Sequence, residues 1–351
     1  MSTVPTLDGI TSQMIQTSRL NMHVLTCGSP DNPPIVLIHG NASAATYFED
    51  LMLVLGDSFY TIAPDLRGYG DTEDLLIDAT RGASDWSEDL AALYDELNIE
   101  AAAIMGWSLG AGAVMQFMLD HPGRVSALIL ESPVSPYGFG GTKDLNGTPC
   151  HADFAGSGGG TVNPDFVKRM SDQDRSEEDP NSPRNVMNAF FYKPPFRATR
   201  EEDYLSALLT EKLGEDRYPG DLDPSENWPN VAPGTKGPIN ALTPAYFNTS
   251  GIVDLANKPS ILWVRGDSDQ IVADMSFFDF GTLGQLDFVP GWPGADVFPP
   301  QPMVGQTRAV LEQYQANNGR YQELVFTDCG HSPHIEKAAE FEAALRNFLA
   351  D

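Results

Sequence analysis

Residues 104–114 read IMGWSLGAGAV. A strand-forming run reaches a serine set among glycines, Gly106, Ser108 and Gly110, and turns at once into small residues that suit a helix. Glycines at such a joint can serve crowding alone, where a strand and a helix pass closely. They also suit a sharp strand-to-helix turn that lifts a serine hydroxyl clear of the backbone, beside a helix N-terminus whose free N–H groups favour developing negative charge. Choosing between the two requires partners for Ser108 elsewhere in the chain.

Outward from this stretch the pattern alternates. The runs PIVLIHG (34–40), FYTIAPD (59–65), AAAIMG (101–106), VSALILE (125–131) and SILWVRG (260–266) are apolar throughout, as strands buried on both faces are. Amphipathic stretches such as SDWSEDLAALYDEL (84–97) and AVMQFMLDHP (113–122) lie between them. QMIQTS (13–18) and NMHVLT (21–26) read as a hairpin joined near Arg19. The expected fold class is α/β, a mostly parallel central sheet flanked by helices.

The alternation breaks after Ser132 and resumes near Pro259. GSGGGTVNP (156–164), SDQDRSEEDPNSP (171–183) and WPNVAPGTKGP (228–238) are rich in Gly, Pro and acid, and the helical patches NVMNAFFY (185–192) and EEDYLSALLTEKL (201–213) stand among them. A structureless loop of this length is improbable in a compact domain. The segment therefore reads as an inserted cap: core 1–132, cap 133–258, core 259–351. A second insertion, dense in Phe, Gly and Pro, runs from Met275 to Pro302.

Composition narrows the partners. Against 21 Lys and Arg stand 49 Asp and Glu, a net charge of −28, which disfavours nucleic acid and anionic membrane surfaces. No apolar run is long enough for a membrane span, and MSTVPTLDGITSQMIQTSRL lacks the basic start and apolar stretch of an export signal, so a cytoplasmic location is expected. Cys27, Cys150 and Cys329 are too scattered for a disulfide framework or a zinc site. The acids from Asp172 to Asp179 lack calcium-loop spacing, and GSGGG lies outside a strand-to-helix context. No metal or cofactor is expected.

Partners for Ser108 follow in the order acid, then histidine. RGDSDQIV (265–272) places Asp269 just past an apolar strand, and TDCGHSPHIE (327–336) places His331 in a loop. The spacing G-x-x-D-x-x-V selects Asp269 over Asp267, and Glu131, after the strand that follows the serine, is a further candidate for the acid. Chain order Ser, Asp, His separates this constellation from the two common serine-protease orders.

The segments LIHGNAS (37–43), PDLRGYGDT (64–72), GWSLGAGAV (106–114), HPGRVSALILES (121–132), RGDSDQIV and GHSPHIE together resemble the α/β-hydrolase superfamily, near its carboxylesterase branch. The resemblance covers residues 34–132 and 259–351. It implies a serine hydrolase acting on a small-molecule carboxylic ester, with Ser108 as nucleophile, His331 as general base and then acid, and Asp269 orienting the imidazole. It implies an oxyanion hole from the backbone N–H groups of Asn41 and Leu109. His39 then reads as structural, and Asp65 and Arg67 as fixing the neighbouring turn. Trp107, Phe190, Phe191 and His334 are candidates for the substrate pocket. Ser108 argues against the dehalogenase and epoxide-hydrolase branches, which the resemblance associates with aspartate there. Lactone, thioester and carbon–carbon bond hydrolysis stay open on the same triad, and a ligand-binding homologue without catalysis is the alternative of another class.

Overall fold

The structure is a computed structural model and describes residues 3–350. Eight strands form one sheet: β1 (Thr11–Gln16), β2 (Asn21–Cys27), β3 (Pro34–Ile38), β4 (Tyr60–Pro64), β5 (Ala102–Trp107), β6 (Val125–Glu131), β7 (Ser260–Gly266) and β8 (Tyr321–Phe326). Their order across the sheet is β1-β2-β4-β3-β5-β6-β7-β8. The first two strands make the expected hairpin, with β2 antiparallel to β4, and every later pairing is parallel.

Strand period 2 divides the core. Val36 and Ile38 of β3 point to one face with Ile104 and Leu128, and pack under α2 (Ser84–Glu96), α3 (Leu109–Asp120) and a later helix, Met303–Ala316. Ile35 and Leu37 point to the other with Met105 and Ile129, and pack under α1 (Glu49–Leu55) and the C-terminal helix Ala338–Ala350. The sheet is covered on both faces, so its middle strands need no polar side.

Residues 133–258 leave the sheet after β6 and return at β7, its direct neighbour, with Leu128 opposite Ile261. Phe166, Met170, Met187, Phe191, Tyr204 and Leu205 of this segment join the second core. Its last part behaves differently from the expected cap: Ala241, Leu242, Phe247, Ile252 and Val253 are built into the first core against α3. The apolar side chains there are buried in the core beneath the sheet rather than set apart from it. No helix among the described residues is long and apolar enough to cross a membrane. The three cysteines are unpaired.

Candidate active site

Ser108 stands between β5 and α3 with φ 58° and ψ −118°, in the left-handed region that side chains avoid. The crowding reading of the glycines holds. A Cβ on Gly106 would lie 2.4 Å from the Gly110 carbonyl, and one on Gly110 would lie 2.3 Å from the His39 carbonyl. Crowding demands the glycines, and the crowded turn in turn holds the serine. Its backbone is fixed from the next strand, since the Ser108 N–H donates to the Glu131 carbonyl at 2.9 Å. Leu109 opens the helix, so its N–H lacks an intrahelical acceptor.

The second candidate oxyanion donor sits on a loop held with equal care. The Leu66 N–H donates to His39 Nε2 at 3.0 Å, which leaves the ring proton on Nδ1 to donate to the Gly40 carbonyl at 2.8 Å. Ser43 Oγ donates to the same carbonyl at 2.7 Å. In a trans peptide the carbonyl and the following N–H point in opposite directions, so pinning the Gly40 oxygen aims the Asn41 N–H away from it. Burial holds His39 below the ordinary imidazole range despite the nearby Asp65, which suits a neutral ring with this tautomer. Asp65 ties the loop down further, accepting from the Ala45 N–H at 2.8 Å, the Asp71 N–H at 2.8 Å and His23 Nδ1 at 2.7 Å. Burial alone would raise this carboxyl; the bond from His23 and that imidazole's charge, with the Ala45 N–H, overcome it and hold it below the usual range. Arg67 forms a two-point ion pair with Asp89, both contacts at 2.8 Å.

His331 and Asp269 meet. Nδ1 lies 2.8 Å from Asp269 Oδ2, while Asp269 Oδ1 accepts the N–H groups of Ile271 and Val272 at 2.8 and 3.1 Å. A carboxylate in contact with Nδ1 leaves Nε2 as the proton acceptor. No hydrogen bond joins Ser108 Oγ to this ring in the present rotamer among the described residues. What holds the two together is Trp107, the residue before the serine, whose Nε1–H donates to the His331 carbonyl at 2.8 Å. Asp267 is exposed and accepts the Asp328 N–H. Glu131 is fully buried and engaged by a different histidine: His334 approaches it through its backbone N–H at 2.8 Å and Nδ1 at 2.9 Å. Of the three carboxyl candidates, Asp269 is the one bonded to His331.

The pocket candidates divide. His334 has no exposed side-chain surface, packs between Phe48 and Trp107, and is paired with Glu131. Trp107 is likewise buried, and its Nε1–H is bonded to the histidine loop. Phe191 reaches from the inserted segment to the Trp107 ring at 5.8 Å and the Tyr47 ring at 6.3 Å. Phe190 turns to Phe278 of the second insertion, 5.0 Å away. Glu336, which the sequence left unremarked, joins the inserted segment to the histidine loop by accepting the Lys193 N–H and the Gly330 N–H, both at 2.8 Å.

Among the described residues, one grouping has metal-ligating chemistry, His23 with Asp65 and Asp71. Asp65 there is already saturated by the three donors that brace the loop. A hollow of about 580 Å³ opens at the opposite edge of the sheet, lined by Pro33, Ala102, Ser126, Ser260 and Arg320 among others, and holds no member of the serine, histidine and carboxylate set.

The sequence profile described as the alpha/beta hydrolase family matches residues 35–344, most of the chain. The chain belongs to the alpha/beta hydrolase family. This hydrolase is 24% identical over 338 residues to a 2-hydroxymuconate semialdehyde hydrolase of Pseudomonas sp. (strain CF600), covering 95% of the chain and 91% of that protein. It is 34% identical to epoxide hydrolase 2 of Siraitia grosvenorii over 124 residues, which span 35% of the chain and only 39% of that relative's length. Among solved structures, the esterase RhEst1 from Rhodococcus sp. ECU1013 matches with a TM-score of 0.59 at 15% identity, covering 98% of the chain and 99% of its own.

One residue of the hydrolase's inserted segment escaped the sequence reading. Glu211 is buried, and neither carboxyl oxygen has a hydrogen-bond partner. Burial, with nothing to offset it, holds the group well above the usual carboxylate range. A carboxyl raised on folding stabilises the fold fully below its unfolded value, here 4.5, and that stability is lost as pH rises toward the folded value. Glu211→Gln cannot ionise. Its melting temperature should match the wild type near pH 4 and exceed it increasingly toward pH 8, by the equivalent of about 1–3 kcal/mol. Thermal melts across that range check this, and a difference independent of pH would contradict it.

Proposed function

We propose that the protein is a serine hydrolase of carboxylic esters. In this reading Ser108 attacks the ester carbonyl while His331 Nε2 accepts its proton, Asp269 holds the imidazole by Nδ1, and the N–H groups of Asn41 and Leu109 receive the oxyanion. The acyl-enzyme is then released by water, with His331 again the base. The observation that carries it is the Asp269–His331 contact clamped beside the Ser108 turn by Trp107. The solved esterase of similar fold is consistent with it, as fold alone. Small-molecule esters are the proposed substrates.

The covering part of the inserted segment shapes the acyl pocket in this proposal, with Phe191, whose ring lies 5.8 Å from that of Trp107, in its wall. A second reading, hydrolysis of a semialdehyde by the same triad, is favoured by the name of the semialdehyde hydrolase that aligns over 95% of the chain at 24% identity. A fluorophosphonate probe followed by a panel of p-nitrophenyl esters tests the first reading. Ser108 should be labelled and short to medium acyl chains turned over. Phe191→Ala should reorder the panel by chain length, with about 1–3 kcal/mol lost on the preferred ester. Absence of labelling would sink the serine mechanism, and uniform loss across the panel would remove Phe191 from the pocket.

A further inference from the structure

His331, the base of the proposed mechanism, is held at its backbone from both sides. Its carbonyl accepts the Trp107 indole N–H at 2.8 Å. On the other side the N–H of Gly330, the residue before it, donates to Glu336 Oε1 at 2.8 Å. The short turn after the histidine places Glu336 for this: its own N–H and that of Ile335 both donate to the Ser332 carbonyl at 3.0 Å, so the chain from His331 to Glu336 folds back on itself. The second oxygen of the carboxylate points away from the loop's own backbone. Oε2 accepts the N–H of Lys193, in the inserted segment, at 2.8 Å.

Backbone runs against backbone where this carboxylate bridges. A Cβ on Gly330 would lie 2.6 Å from the Lys193 nitrogen and 2.7 Å from the Tyr192 carbonyl carbon, so only glycine lets residues 192–193 sit this close to the histidine loop. An ion pair between Lys193 Nζ and Asp328 adds a second contact beside the first. The two residues before Lys193 are equally committed: Tyr192 is 1% exposed, and the Phe191 ring lies 5.8 Å from that of Trp107. Phe191 ends a π-helical turn, Met187–Phe191, a rare geometry that recurs at functional sites. Both braces of His331 are therefore in contact with three consecutive residues of the inserted segment, one of which stands in the wall of the proposed acyl pocket.

We infer that Glu336 is a positioning residue for His331 and passes the placement of residues 191–193 on to the base. An acyl group that seats against Phe191 without displacing it leaves the bridge from Lys193 through Glu336 to Gly330 intact and His331 in place. One that pushes Phe191 outward draws Gly330 with it. Chain-length preference is then expressed in kcat and not only in KM. This rests on the serine-hydrolase reading above.

The test uses Glu336→Gln, which keeps the size of the side chain and one acceptor oxygen but sets an NH₂ against an N–H where the second oxygen stood, so one arm of the bridge is lost. Misplacing a reacting group by about 1 Å costs about 10²-fold in rate; with Trp107 still holding the His331 carbonyl, kcat for p-nitrophenyl butyrate should fall about tenfold and KM stay within about twofold. Labelling of Ser108 by the fluorophosphonate should slow by a similar factor, because it needs the same base. The deciding measurement is a double-mutant cycle with Phe191→Ala. The change that Phe191→Ala makes in the kcat ratio of butyrate to octanoate esters should shrink about threefold or more in the Glu336→Gln background. A structural role alone would lower the melting temperature and leave kcat per folded molecule unchanged, and that result would overturn the inference. Independent effects of the two substitutions would overturn it as well, since Phe191 would then act without Glu336. Wild-type protein that resists the fluorophosphonate probe would instead overturn the reading beneath it, so the two failures are distinct.

Discussion

Ser108→Ala and His331→Ala are each expected to lower ester turnover about 10⁴- to 10⁶-fold, and the double substitution to add little to either. Neither residue has value alone. A serine hydroxyl is a poor nucleophile until a base takes its proton, and the His331 imidazole has nothing to accept if the hydroxyl is gone. The structure places these residues 223 positions apart in sequence yet ties their backbones through a single intervening side chain, Trp107, so removal of either functional group leaves the turn itself intact. Single-turnover kinetics with p-nitrophenyl butyrate, read beside probe labelling, measure the loss. Residual turnover in Ser108→Ala above about 1% of wild type would require another nucleophile, and equal labelling of that variant would locate the reactive serine elsewhere.

The next largest effect separates the carboxylates. Asp269→Asn is expected to reduce kcat about 10³- to 10⁴-fold, because an amide in place of the carboxylate no longer demands the proton on Nδ1 and can favour the tautomer with Nε2 blocked. Glu131→Gln is expected to act otherwise. Its carboxyl is bound to His334 and buried with it, so the change should destabilise the fold while folded protein keeps kcat within about tenfold. Melting curves together with kcat per folded molecule distinguish the two. A larger kcat loss in Glu131→Gln than in Asp269→Asn would reverse the assignment.

What the sequence made legible was local. Unbroken apolar runs marked β3 to β7 because strands covered on both faces have no polar side to show, and the glycine spacing about Ser108 marked a turn whose neighbours leave no room for a Cβ. The spacing from Gly266 to Val272 also singled out Asp269, since that turn offers the Ile271 and Val272 N–H groups to one carboxylate only. What stayed hidden depends on contacts without a local signature. Nothing near Trp107 announces that its indole will reach the His331 carbonyl, and nothing near His334 announces its pairing with Glu131. Glu211 sits in an ordinary amphipathic run, EEDYLSALLTEKL, where an acid is expected to face water. Only the docking of that run on Gly68–Gly70 turns it inward.

The side-by-side pairing of β6 and β7 bears on how the chain is made. Roughly 130 residues separate the two strands, and at about 5–20 residues per second the ribosome needs some 6–26 s to deliver the second after the first. For that interval the serine turn is already synthesised while the strand beside it, Val125–Glu131, presents an unpaired and strongly apolar edge. The inserted residues emerge next, before any of the acid or histidine. A nascent chain of this protein is therefore most exposed to sticking to its neighbours between the making of β6 and of β7, and His331 follows Asp269 by a further 62 residues.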